Sequence, residues 1–203
     1  MYTVCTLCSF LCFSWILNLI VMTKYQKHWN SEIETLLEKL EASKELYDSL
    51  TYILSKSQLT QVFPNQVINA LKAALKIRKE KTNIALIAPM QSGKSGTIYV
   101  LCNYILPAIG LIEKNQSVVF VTSMMDTDLY EQNKQNLEKE FYCPVEERYR
   151  PSFIYVVKMT NFFNHPNPEK MVRELNVKLV VRDEDQYGCG QESSFDNAFF
   201  SNL

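Results

Sequence analysis

Beyond Lys81 the chain alternates short β-branched, aliphatic runs with helix-patterned stretches, and few folds accept that order. "NIALIAP" (Asn83–Pro89), "SVVFVTSM" (Ser117–Met124), "SFIYVVKM" (Ser152–Met159) and "VKLVVRD" (Val177–Asp183) read as buried strands. Between them, "GKSGTIYVLCNYILPAIGLIEK" predicts a helix ending near Pro107, "TDLYEQNKQNLEKEF" one beginning near Asp126, and "NPEKMVRELN" a third. Strands joined by helical crossovers lie parallel, and a parallel sheet needs both faces covered. The expected fold class is therefore α/β, three layers deep (α/β/α), with a mostly parallel sheet preceded by an α-helical N-terminal segment.

That leading segment has its own periodicity. From Ser31 to about Ser55, Ile33, Leu36, Leu37 and Leu40, then Leu46, Tyr47, Leu50, Ile53 and Leu54, recur at helical spacing, with Ser31 and Glu34 as a capping-box start. "TQVFP" interrupts the pattern. Pro64 opens a second helix, roughly Pro64 to Lys79, with Val67, Ile68, Leu71, Leu75 and Ile77 facing inward. The chain thus divides into an apolar start (1–22), a helical region (23–80) and an α/β region (81–203).

With 203 residues, 47% hydrophobic and a formal net charge of −1, the chain can bury one sizeable core, and it lacks the charge excess of a bulk nucleic-acid or anionic-membrane binder. "LKAALKIRKEK" (Leu71–Lys81) and "ERYR" (Glu147–Arg150) remain candidate local basic patches, the first reading equally as a solvated helix face. The six cysteines show no metal-site spacing and read as reduced thiols; His28 and His165 lack partners at ligand spacing. The uncharged stretch "MYTVCTLCSFLCFSWILNLIVM" admits three readings: a membrane anchor, a buried helix, or translated sequence upstream of a start at Met22. The third is preferred, because "MTKYQKHWNSEIETLLEKL" has the texture of an ordinary soluble beginning. A cytoplasmic protein (or one of the host-cell interior, if viral) is expected, with membrane attachment only through 1–22.

Two motifs carry chemistry. Ala88-Pro-Met-Gln91-Ser92-Gly93-Lys94-Ser95 keeps the A/G-x-x-x-x-G-K-S/T spacing, after an apolar run and before a helix. In such a loop, backbone N–H groups around Gln91, Ser92 and Gly93 face phosphate oxygens. Lys94 adds a point charge, Ser95 offers its hydroxyl to Mg²⁺, and the helix dipole favours the same anion. A plain Gly-Ser turn with an exposed lysine is the bland alternative. Downstream, "KLVVRDEDQYG" delivers Asp183 and Glu184 to the C-terminal end of a strand, the edge where ligands of open α/β sheets bind. Asp183 there suits Mg²⁺, and Glu184 suits polarising an attacking water. The alternative is a solvated acidic turn.

In order and spacing, these motifs resemble the first RecA-like domain of superfamily-two (DEAD/DEAH-like) helicases and translocases, which are P-loop NTPases. "DEDQ" looks like their D-E-x-H/Q/D box. The resemblance implies ATP and Mg²⁺ as cofactors, DNA or RNA as partner, and Gln186 as the coupler between γ-phosphate state and nucleic-acid grip. It also implies nucleic-acid contact near Thr122 and Ser123, a helix glutamine at Gln132, and, from "FPNQVINAL", an adenine-reading Gln66. The likeness covers roughly Phe63 to Gly190. Arg182 stands where the family is usually apolar, and the central Ser/Ala-Thr strand and the second RecA-like domain with its arginine finger are not visible. The expectation is therefore an N-terminal piece of a longer ATPase, a truncated gene, or half of a split enzyme that awaits a second domain or chain and by itself hydrolyses ATP slowly. Two alternatives stand beside it: a viral DNA-packaging motor ATPase, and a non-catalytic membrane-tethered or scaffolding remnant.

Overall fold

The structure is a computed structural model that describes residues 31–79, 93–122, 127–158, 161 and 168–183. The expected strand at Asn83–Pro89 and the apolar start fall outside these residues.

Two helices, not one continuous helix, occupy the first stretch: α1 over 31–39 and α2 at Lys44–Ser55. Ser31 already lies within α1, so it is not the cap the capping-box reading expects. Glu41, in a left-handed conformation (φ 49°), makes the break. Arg78 from a distant helix completes it, donating to the Leu40 carbonyl at 2.5 Å and pairing with Glu41 at 2.9 Å. Ser43 caps α2 through the Leu46 N–H. After a single turn, α3 (Ser57–Thr60), comes α4 (Pro64–Arg78), with proline at its first position where a missing N–H costs nothing. Its inward face is Gln66, Val67, Ile68, Ala70, Leu71 and Ala74; Leu75 and Ile77 pack only partly.

The next helix is α5 (Lys94–Val100), which passes through a wider π segment at Leu101–Ile105 into α6 (Leu106–Ala108). Pro107 explains the widening. It cannot donate to the Asn103 carbonyl, and the Leu106 N–H reaches back five residues to Leu101.

Strands β1 (Ser117–Thr122), β4 (Ile154–Lys158) and β5 (Val177–Asp183) form a parallel sheet in the order β4-β1-β5. A small antiparallel hairpin, β2 (Phe141–Cys143) with β3 (Arg148–Arg150), and helices α7 (Thr127–Leu137) and α8 (Pro168–Glu174) complete the described elements. The two sheet faces are distinct. Val118 and Phe120 join the large core made with α1, α2, α4, α5, the π segment, α6 and α7, together with Ile154, Val156, Leu179 and Val181. Val119 and Val121 face the other way, against Val157, Val180, Val172 and Leu175, the last two from α8 and its end. Helices thus lie against both faces of a parallel sheet, as the alternating sequence demands.

Candidate functional site

Parallel pairing brings the three strand ends level. Thr122 is in register with Lys158 on one side and with Asp183 on the other. Side chains alternate along a strand, so all three belong to the face of Val118 and Phe120, the face carrying α5 and α7. Lys158 leans over the Tyr130 ring (4.9 Å) and reaches the Thr127 hydroxyl at 3.3 Å, which puts the start of α7 at this edge. Thr122 is 2% exposed, and its hydroxyl has no hydrogen-bond partner among the described residues. Asp183 is half-buried and has no ion-pair partner among the described residues.

The opposite edge anchors the long helix. Buried Asn103, in the π segment, accepts from the Phe153 N–H (3.0 Å) and the Ser152 hydroxyl (2.9 Å), immediately before β4 begins. The short connection from Ala108 to Ser117 holds the same helix end near the start of β1. The helix therefore runs antiparallel to the strands. From Asn103 back to Gly93 is about 15 Å of helix, and from Phe153 to Lys158 is about 16 Å of strand. Gly93, Lys94 and Ser95 thus come to the level of Thr122 and Asp183, at the C-terminal edge.

Gly93 is left-handed (φ 83°), and a Cβ there would lie 2.2 Å from the Gln66 amide nitrogen. Only glycine fits. Gln66 sits at the start of α4, 8% exposed. Its Oε1 accepts from the Phe63 N–H at 2.8 Å and its Nε2 donates to the Gly93 carbonyl at 3.1 Å. Phe63 has no hydroxyl to reciprocate, so this is half a capping box with its other hand on the loop. Lys94 and Ser95 are half-buried.

Of the residues the sequence singles out, Gln66, Gly93, Lys94, Ser95, Thr122, Gln132, Arg182 and Asp183 are described. Ala88, Gln91, Ser92, Ser123, Glu184 and Gln186 lie outside the described residues. Gln132 is exposed on α7. In the "ERYR" patch, Arg148 and Arg150 both turn to the Glu146 carboxylate. Phe153 packs against Phe141 as a core aromatic, whereas Tyr155 is 43% exposed. Sequence reading passed over Asn103 and Lys158. Asparagine in an apolar helix, "LCNYIL", is the signal for the first; a lysine closing a β-branched run is the signal for the second.

Among the described residues no cluster of three metal-ligating side chains occurs, and no helix is long and apolar enough to cross a membrane. Comparison with family models, curated proteins and solved structures returns no match to this chain.

Proposed function

We propose that this chain is the ATP-binding core, RecA-like in fold, of a nucleic-acid-dependent ATPase of the helicase or translocase kind. One geometric inference carries the reading: reckoned from the Asn103–Phe153 anchor, the Gly93-Lys94-Ser95 helix start comes to about the level of the strand-ending Asp183 at one edge of a parallel sheet. Ligands of open α/β sheets bind there.

The donor set fits a hard cation. A hydroxyl and a single carboxylate, without a protein-only cage, is how Mg²⁺ is held when waters and substrate phosphates supply the remaining ligands. Ser95 and Asp183 would hold it. Bound there, Mg²⁺ would neutralise charge on the phosphate oxygens. Lys94 contributes a second positive charge, and the N–H groups at the head of α5 add theirs. The Thr122 hydroxyl, buried, unpartnered among the described residues and in register with Asp183, would donate to that carboxylate or to a water held by it. Glu184, the next residue in the chain, carries the role of water activation in this reading, and Gln186 that of coupling to nucleic acid.

The decisive measurement is Mg²⁺-nucleotide affinity of the wild type against Lys94→Ala and Asp183→Asn. Loss of a charge-assisted contact to phosphate predicts weakening on the order of 10- to 100-fold for Lys94→Ala. The lysine variant binding as tightly as wild type removes the reading. ATP turnover with and without added RNA or DNA then tests the partner: stimulation supports the helicase or translocase assignment, and its absence leaves a nucleotide-binding module alone.

A further inference from the structure

We infer that Gln66 is a positioning residue of the triphosphate site, holding the Gly93 end of the loop for any nucleoside triphosphate without selecting the base. The inference rests on the reading of Gly93 to Ser95 as a phosphate-binding helix start.

An amide that reads adenine must present its oxygen and its nitrogen together to the base edge. Gln66 has already committed both. The oxygen takes the Phe63 N–H, one of the donors that a helix start leaves without an intrahelical partner, and the nitrogen takes the Gly93 carbonyl. Rotating the amide toward a base would strand both backbone groups at a position where Gln66 is 8% exposed.

Packing reinforces the same conclusion. A Cβ built on Gly96 would lie 2.5 Å from the Gln66 nitrogen, 2.7 Å from its Cδ and 2.8 Å from its oxygen. With Gly93 on the same amide, the side chain is clasped between two glycines one turn apart on the loop–helix junction. Gly96 has no positive φ, so its role is to make room and not to bend the chain. Two glycines that yield space to one glutamine, and a glutamine that spends both polar ends on backbone, form a clasp between α4 and the head of α5. Its effect falls on whatever Gly93 and Lys94 hold, which is the triphosphate, and ignores what lies at the nucleotide's other end.

The experiment titrates the full chain with inorganic tripolyphosphate, ATP and GTP, each with Mg²⁺. Gln66→Ala and Gln66→Glu are expected to weaken all three by a common factor of about tenfold, leaving the ATP-to-GTP ratio at its wild-type value. The glutamate keeps the bond from the Phe63 N–H but sets an acceptor and a negative charge against the Gly93 carbonyl, so it breaks the loop contact without emptying the site, and Gln66→Ala is its neutral control. Gly96→Ala, a helix-favouring change that displaces the amide, should cause a similar loss, and adding Gln66→Ala to it should cost nothing more. Loss confined to ATP, wild-type affinities in Gln66→Glu, or full additivity of the two substitutions each overturns the inference. If the wild type fails to bind tripolyphosphate, or Lys94→Ala binds all three ligands as well as wild type does, the site reading falls as well. An ATP-only loss beside a disabled Lys94→Ala condemns Gln66's role alone.

Discussion

β1 and β5 lie side by side in one sheet and are built from the same kinds of residue, yet they live in different surroundings. All six residues of β1 are buried, with Phe120 1% exposed. In β5 none is fully buried, although "VKLVV" has the composition of a central strand. Composition sets what a strand can bury, and its neighbours set what it does bury. β1 has strands on both sides and helices on both faces; among the described residues β5 has one strand neighbour and partial cover. The candidate site's edge inherits the contrast: Thr122 closes the covered strand and is sealed, while Asp183 closes the other and is only half-buried.

Truncation would test that contrast most severely. Phe120→Ala should cost about 3–5 kcal/mol, the usual penalty for emptying a packed aromatic site, whereas Val181→Ala should cost about 1 kcal/mol. Urea midpoints at constant slope measure both. Equal losses would mean that β5 is covered as fully as β1. Asn103→Ala comes next. It leaves the Phe153 N–H and the Ser152 hydroxyl without their shared acceptor on the covered side, and a destabilisation of about 2–3 kcal/mol is expected in the same assay. A change below about 0.5 kcal/mol would show that the bracket is dispensable.

The last prediction is a pH dependence. Burial pushes the Cys102 thiol up to about 12 and the Tyr104 phenol up to about 12, and it raises Tyr99 further. A raised folded-state value means that the unfolded chain gives up its proton first. The stabilisation is complete below the unfolded value, near 9 for the thiol, and is lost as pH climbs toward 12. Stability should fall by roughly 1.4 kcal/mol per pH unit for each group within its window. Cys102→Ala should flatten the curve between the thiol's ordinary value and the tyrosines', visible in melts at pH 9 and 10. An unchanged slope would indicate that water reaches the thiol.

Much of this architecture is legible in residue order. The strands at 117, 154 and 177 and the helices after Gly93 and Asp126 fall where apolar period and turn residues indicate, because burial on two faces leaves a run of β-branched side chains few alternatives. Features decided by distant partners are not legible. The break at Glu41 has neither glycine nor proline to announce it and depends on Arg78, far along the chain. The hairpin's strands are three residues each, too short for a period, and are fixed by Tyr142 stacking on Tyr52 and by Glu146 gathering Arg148 and Arg150. For the site, the glycine-lysine spacing is visible in sequence. The engagement of both ends of the Gln66 amide is not, since a glutamine near a helix start suits a base contact and a backbone clasp equally well.

The π segment sets the rotational phase of everything before it. Each residue of an ordinary helix turns the chain by about 100°, and the wider ring at Leu101–Ile105 accommodates one residue more than the regular ladder would. Asn103 is bolted at the lower rim, so deleting a single residue between it and Lys94 would swing the lysine around the helix axis by about a quarter-turn or more. The hydrophobic packing beneath could survive that deletion while the ammonium pointed elsewhere, which makes this barrel of widened helix the screw thread that aims the site.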